Sequence, residues 1–315
     1  MIFNEINPST KTNAMSTNIW TIDKIADQSG KTILITGGNS GIGLEAARVL
    51  SLKKAEVILT ARSVKKGTAA VEKIKSQNPA ANVSWMVLDL ADLDSIHAFS
   101  KAFHAKYSRL DILINNAGVM YPASREVTKQ NFELQFGTNH LGHFALTALL
   151  LDILKATPGS RVTTQSSIAH TMLSKIDLQD LNWEKSYSRT KAYSQSKLAN
   201  LLFTYELDRQ LKKHGLNVIA TAAHPGVTNT NLFKTSGFGA ITKLITQRVE
   251  LGALPILRAA TETNLKGSEY IGPKGIGGFR GYPVQVNSTP TSHNEVLAKA
   301  LWAASERLTK IAFVF

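Results

Sequence analysis

Cysteine is absent from the 315 residues. That excludes a disulfide framework, a thiolate metal site and a cysteine nucleophile. It accords with a reducing compartment, and the cytoplasm is the expected location. Long apolar runs are missing as well. The most hydrophobic stretch, around Leu146 to Leu154, is interrupted by Thr147 and Asp152, short of the roughly 18–20 residues of a membrane span. The first 30 residues are polar and contain no arginine, which first appears at Arg48. Neither a secretory leader nor an organelle transit peptide is expected from them. Acid is scarce relative to base, with 23 Asp and Glu against 36 Lys and Arg, a net charge of +13. The basic residues are scattered, in pairs at most (Lys53–Lys54, Lys65–Lys66, Lys212–Lys213). No basic helix or aromatic stacking platform accompanies them, so a nucleic-acid partner is not expected. The excess charge favours small phosphate-bearing ligands instead. The eight histidines show no metal-ligand spacing, and no metal is expected.

What is present is a globular composition, 43% hydrophobic and 19% charged, organised around Lys31 to Leu44. Ile33, Leu34 and Ile35 read as a buried parallel strand. Gly37, Gly38, Gly41 and Gly43 follow as a turn, and a helix runs on to about Leu52. A turn that meets its ligand with bare backbone and ends on a helix N-terminus suits a pyrophosphate. An ordinary glycine turn is the plain alternative. Further strands are expected at Glu56 to Ala61, Val83 to Leu88, Asp111 to Ile114, Arg161 to Gln165, Val218 to Ala223 and Tyr270 to Ile271. Helices of 10 to 25 residues separate them, with Asp92 as an N-cap, a long one from about Asn131 to Leu154 and another from Ser188 to Lys213. The pattern predicts right-handed βαβ crossovers and a doubly wound parallel sheet of the Rossmann type. Residues 1–29 form an arm in which Trp20, Ile22 and Ile25 pack onto the body. Residues 30–315 form one domain, with a small C-terminal lid over the substrate at 229–250.

Two positions carry the chemistry forward. After the second strand, where an NAD-binding chain usually has an acid, this one has Ala61 and then Arg62. A guanidinium suits a 2′-phosphate, so NADP(H) is expected ahead of NAD(H), a plain surface arginine being the alternative. Tyr193 and Lys197 stand four residues apart on a helix and share a face. Ser167 follows the fifth strand, where ligands of such sheets bind. A tyrosine needs its pKa brought down from about 10 to work near neutrality, and the Lys197 ammonium would do that.

These motifs together resemble the short-chain dehydrogenase/reductase superfamily. The resemblance covers about residues 30 to 310 and rests on Thr36–Gly43, Asp89, Asn115–Gly118, Asn139, Ser167, Tyr193, Lys197 and Pro225-Gly226-x-x-x-Thr230. The segments Asn139–Phe144, Ser166–His170 and Tyr193–Asn200 are similar to the retinol dehydrogenase-like and WW-domain oxidoreductase-like branch. So is the 26-residue interval from Ser167 to Tyr193. The resemblance implies an NADP(H)-dependent oxidoreductase with a catalytic set of Asn139, Ser167, Tyr193 and Lys197. Tyr193 would be the general acid/base, and Asn139 would hold a water relaying protons past Lys197. The dinucleotide would meet Thr36, Gly37, Ser40, Gly41, Ile42 and Gly43. Arg62 would hold its 2′-phosphate, Asp89 and Leu90 the adenine, and Asn116, Ala117 and Gly118 the central ribose. Tyr193 and Lys197 would lie at the nicotinamide ribose, and Pro225, Gly226, Val227 and Thr230 would border the nicotinamide.

The chain departs from the family at Arg161-Val162-Thr163-Thr164-Gln165, where apolar residues and an Asn are usual, and its arm is polar where retinol dehydrogenases commonly carry a membrane anchor, so membrane retinoid chemistry is not expected. Ser166 competes with Ser167 as the catalytic serine, and the motif favours Ser167. His143 and His170 read as packing or pocket-wall residues. The expected substrate is a hydrophobic small-molecule carbonyl or alcohol, from Leu232, Phe233, Phe238, Ile241 and Leu244 in the lid. A homo-oligomer is compatible with the sequence. A dinucleotide-binding sensor with little catalysis is the alternative function.

Overall fold

Side chains of a strand alternate between the two faces of its sheet, and β1 (Thr32–Ile35) shows why this chain needs cover on both. Ile33 and Ile35 join one buried apolar cluster and Leu34 joins another. The structure, a computed structural model, describes residues 19–173, 175–229 and 246–315. Strands β2 (Glu56–Ala61), β3 (Val83–Val87), β4 (Ile112–Asn115), β5 (Ser160–Gln165), β6 (Val218–Ala223), β7 (Tyr270–Pro273) and β8 (Pro283–Gln285) complete one sheet, ordered β3-β2-β1-β4-β5-β6-β7-β8. All neighbours are parallel except β7 and β8. Strand order reverses between β1 and β4, which opens the crevice where such sheets bind ligands.

Helices α1 (Gly41–Leu52) and α2 (Val64–Gln77) cover one face, and α3 (Leu93–Lys106) the other. Asp92 caps α3 by accepting from the Asp94 N–H at 2.9 Å, worth about 1 kcal/mol. The helix expected from Asn131 to Leu154 starts at Leu134. It comprises α4 (Leu134–Phe136), a π-helical turn (Gly137–Leu141) whose flanking backbone stays helical, α5 (Gly142–Leu149) and, after a kink at Leu150 (φ −109°, ψ 7°), α6 (Leu151–Lys155). Two close approaches flank the π-helical turn. A Cβ on Gly137 would strike the Thr128 methyl, and one on Gly142 would strike the Leu90 carbonyl. Apolar periodicity reports neither contact. Then come α7 (Arg189–Lys213), α8 (Val249–Thr261) on the α1 face, and α9 (Glu295–Thr309) against α7.

Strand β8 is absent from the sequence expectation because it has three residues, starts with proline and sits at the sheet edge, where proline is tolerated. Trp20 and Ile25 are buried in the cluster that holds α1. The unusual polar β5 has structural partners. Arg161 donates to the Ala259 and Glu262 carbonyls at the end of α8, and Thr163 meets Thr221 at 2.9 Å. Among the described residues no helix is long and apolar enough to cross a membrane. Residues 1–18, Thr230 and most of the expected lid lie outside the described residues.

Candidate active site

The crevice at the carboxyl ends of β1 and β4 is tied together by one hydroxyl. Thr36, fully buried, accepts from the Asn116 N–H at 2.9 Å and the Ala117 N–H at 3.0 Å, while the Asn116 amide donates back to the Thr36 carbonyl at 2.8 Å. Thr36 therefore sits beneath the glycine turn and holds it to the β4 loop. Above it the backbone is bare for steric reasons. Gly37 and Gly41 have φ of 63° and 54°, which disfavour any side chain. A Cβ on Gly43 would come within 2.5 Å of Asn116 Nδ2 and 2.6 Å of the Gly37 carbonyl. Helix α1 begins after Ser40, whose side chain makes no cap hydrogen bond, and its first turn has no acid. The N–H groups and the dipole's positive end are thus left for an outside anion.

Arg62, just past β2, is exposed and, among the described residues, has no ion pair. After β3, the Asp89 carboxylate accepts from the Ala91 N–H at 3.0 Å, and Leu90 is buried in the core. Gly118 faces the other half of the crevice. A Cβ built there would lie 3.1 Å from Asn139 Oδ1 and 3.6 Å from Lys197 Nζ.

That second half is made of buried side chains. Asn139, in the π-helical turn, accepts at Oδ1 from the Val119 N–H at 2.8 Å. Its amide donates to the Val119 carbonyl at 3.0 Å and to Ser196 Oγ at 2.9 Å. Lys197 Nζ donates to the Gln165 carbonyl at 3.1 Å and stands 5.7 Å from the centre of the Tyr193 ring. Ser166 is buried, donating to the Lys197 carbonyl at 2.8 Å, whereas Ser167 is half-buried, its Oγ accepting from the Ala169 N–H at 3.1 Å and lying near enough to the Tyr193 phenol to oppose the rise in its pKa. The geometry therefore puts Ser167, rather than Ser166, beside the phenol.

The electrostatics differ from the sequence expectation in sign. Burial pushes the Tyr193 phenol well above its usual value, opposed by the Ser167 hydroxyl. Burial also pushes the Lys197 ammonium down to about 8. Both groups have lost their water, and Lys197 spends a hydrogen bond on the Gln165 carbonyl, so desolvation sets the direction of each shift.

Beyond the crevice, Pro225 accepts from Thr228 Oγ1 and Gln247 Nε2, both at 2.7 Å. The Val227 N–H donates to the Phe279 carbonyl at 2.8 Å, and the Val227 carbonyl accepts from Gln247 N–H at 2.8 Å. Gly226, with φ of 62°, lies against the Phe279 carbonyl where a Cβ would not fit.

One residue escaped the sequence reading, and another was read only as packing or pocket wall. Tyr121 packs edge-on against Tyr193, ring centres 5.1 Å apart, and holds φ of 56°. Its N–H donates to Gln135 Oε1 at 2.8 Å, and Gln135 in turn binds Tyr187 and the Arg189 carbonyl from the long Ser167–Tyr193 interval. No spacing rule signals a non-glycine residue at positive φ. His143 is the other. It is no mere packing residue, because both ring nitrogens are engaged, with Asn139 O at 2.9 Å and Thr36 Oγ1 at 2.8 Å. Its place four residues after Asn139 was the available signal.

A glycine turn on an uncapped helix, a strand-order reversal above it and a Ser-Tyr-Lys group beside it define a dinucleotide-dependent oxidoreductase fold. The family model for short chain dehydrogenase matches residues 31–238, and the chain belongs to that family. Within it the chain falls in the retinol dehydrogenase-like branch. It is 40% identical over 290 residues to human (Homo sapiens) retinol dehydrogenase 13, covering 89% of this chain and 84% of that protein. It is 41% identical over 253 residues to the chloroplastic short-chain dehydrogenase TIC 32 B of Brassica napus, covering 76% and 79%. A crystal structure of an uncharacterized protein from Mycobacterium paratuberculosis superposes with a TM-score of 0.79 at 41% identity, covering 94% of this chain and all of that one.

Proposed function

We infer that this oxidoreductase uses NADP(H) and transfers hydride to or from a hydrophobic aldehyde, ketone or alcohol, with Tyr193 as the proton-transfer group. The observation that carries the reading is the juxtaposition of Tyr193, Ser167 and Lys197 beside a bare, uncapped phosphate cradle. The cradle fits a dinucleotide. Gly37 and Gly41 turn the backbone through positive φ and Gly43 packs bare against Asn116 and the Gly37 carbonyl, so the uncapped α1 N–H groups would meet a pyrophosphate, with Ser40 and Ile42 flanking it. The Arg62 guanidinium, with no carboxylate at Ala61, fits a 2′-phosphate. Asn116, Ala117 and Gly118 would border its ribose, Asp89 and Leu90 its adenine, and Pro225, Gly226 and Val227 its nicotinamide.

A bound nicotinamide supplies or accepts the hydride. The protein's own side chains manage the proton and the charge. Ser167 Oγ holds the substrate oxygen next to Tyr193. Because burial keeps the phenol protonated at neutral pH, Tyr193 donates to the oxygen of a carbonyl being reduced. Lys197, charged below about 8, stabilises the phenolate left behind and would meet the nicotinamide ribose of a bound dinucleotide. Asn139 braces the Val119 backbone and the start of the proton path. The Tyr121 ring, the apolar residues of segment 229–250 and the retinol dehydrogenase names of the relatives support a hydrophobic substrate.

The test is a titration of the purified protein with NADPH and with NADH, read by nucleotide fluorescence and melting temperature. NADPH should bind at least tenfold tighter, the worth of about 1.4 kcal/mol. Equal affinities would remove the NADP assignment, and no binding of either would remove the dinucleotide site.

A further inference from the structure

His143 links the glycine turn and the Asn139 turn through one ring and two hydrogen bonds. The ring is 1% exposed. Nδ1 is 2.9 Å from the Asn139 carbonyl and Nε2 is 2.8 Å from Thr36 Oγ1. A carbonyl oxygen only accepts, so Nδ1 carries the hydrogen. Burial and the neighbouring Lys197 ammonium keep the ring neutral, its pKa pushed down to about 4, so Nε2 only accepts. The single Thr36 hydroxyl proton has two acceptors within reach, His143 Nε2 at 2.8 Å and the Ile114 carbonyl at 3.3 Å, and the shorter contact takes it, leaving both lone pairs for the Asn116 and Ala117 N–H groups that Thr36 also binds. Every member of this chain has its donor and acceptor roles fixed by its neighbour.

The i→i+4 ladder is interrupted in a π-helical turn, and here the ring of His143 supplies a hydrogen bond to the carbonyl of residue 139. The Asn139 side chain is separately fixed on Val119 and Ser196. We propose that His143 is a positioning residue that, as its Nδ1–H tautomer, couples the dinucleotide turn through Thr36 to the backbone of Asn139 in the proton-transfer half. This rests on the NADP(H) oxidoreductase reading above. A filling of the cradle that shifts the Thr36 hydroxyl shifts the Asn139 carbonyl with it, through one rigid ring.

Two conservative substitutions cut the bridge at opposite ends. In His143→Asn, the amide nitrogen falls near the Nδ1 position and still donates to Asn139, but nothing reaches Thr36. In His143→Gln, the side-chain oxygen reaches Thr36 as an acceptor, but the donor to Asn139 is gone. A single neutral hydrogen bond corresponds to roughly a threefold to tenfold effect. His143→Asn should raise the NADPH dissociation constant by about that factor with kcat little changed, and His143→Gln should lower kcat by that factor with NADPH affinity kept. Equal changes in both quantities in both variants would reduce His143 to packing and overturn the proposal. Ring 15N NMR of the unsubstituted protein without nucleotide provides a second measurement that needs neither variant to fold. An Nδ1–H signature supports the bridge, and an Nε2–H or imidazolium signature overturns it. If the NMR shows Nδ1–H but NADPH neither binds nor turns over, the functional reading has failed and the hydrogen-bonded bridge has not.

Discussion

The glycine turn after β1 and the buried group around Asn139 and Lys197 face each other across the β4 loop, and they are built in opposite ways. The turn works by leaving things out. It has no side chain at Gly43, no cap on α1, no acid in the first helical turn and no partner on Arg62 among the described residues. The Asn139–Lys197 side works by filling space, with Asn139, Tyr193 and Lys197 almost wholly buried and hydrogen bonds fixing their neighbours. The first can accept a solvated anion without rearranging its own bonds. The second holds desolvated ionisable groups whose protonation is governed by burial. Substitutions should therefore separate the two, binding failing in one region and turnover in the other.

The largest effect is expected from Tyr193→Phe. Loss of a positioned acid costs about 10²–10⁴-fold, so carbonyl reduction should fall by that much while the NADPH dissociation constant stays within roughly twofold, since the ring and its packing on Tyr121 remain. Steady-state rates and fluorescence titration on the same preparation check both halves. Should affinity collapse along with turnover, the two regions are not separable as described.

Lys197→Met sharpens the contrast from the stability side. Replacing a buried ammonium by an apolar chain of similar length is often neutral or stabilising, by about 1–4 kcal/mol. Turnover should fall roughly a hundredfold or more while the melting temperature holds or rises. A large drop in melting temperature would mean that Lys197 is mainly structural.

Arg62→Ala belongs to the other region. Removing one charge-assisted contact, worth about 1.5–3 kcal/mol, should weaken NADPH by about 10- to 100-fold and leave NADH unchanged. A parallel loss for both nucleotides would disconnect Arg62 from the 2′-phosphate. At Gly43, alanine should reverse the usual helix preference. Instead of gaining about 1 kcal/mol over glycine, Gly43→Ala should lose about 1–3 kcal/mol by overpacking against Asn116 and the Gly37 carbonyl. Thermal denaturation reads the sign.

The smallest effect is in pH. Lys197 titrates near 8 in the folded protein instead of 10.5. Below about 8 it is charged and assists the phenolate; above it the charge is lost, so kcat/KM for carbonyl reduction should decline on an alkaline limb near that value. Stability moves the other way. Between 8 and 10.5 the unfolded chain binds a proton that the folded one does not, so this group's contribution rises with pH. Lys197→Arg, charged throughout, should lose the limb.

The same contrast governs how much was legible in the sequence. The parallel sheet could be read because β-branched and apolar runs such as Ile33–Ile35 and the Asp92 cap are local signals. The glycine turn and Arg62 were visible because a missing side chain or acid shows in the residue itself. The π-helical turn at Asn139 was not, since it is accompanied by close approaches of Thr128 and of Leu90, the latter far away in the chain. Nor were the Tyr121 wall, which rests on contact with Tyr193, and the Thr36 end of the His143 bridge, which joins segments distant in sequence. The expected lowering of the Tyr193 pKa by Lys197 was missed for the same reason: spacing on a helix gives proximity, and burial sets the sign.

The most direct test of the account is NADPH consumption by the purified protein against a panel of hydrophobic aldehydes and ketones near pH 7. The account predicts saturable oxidation of NADPH by at least one of them, abolished in Tyr193→Phe. Tight NADPH binding with no turnover of any member, or full turnover by Tyr193→Phe, would contradict it.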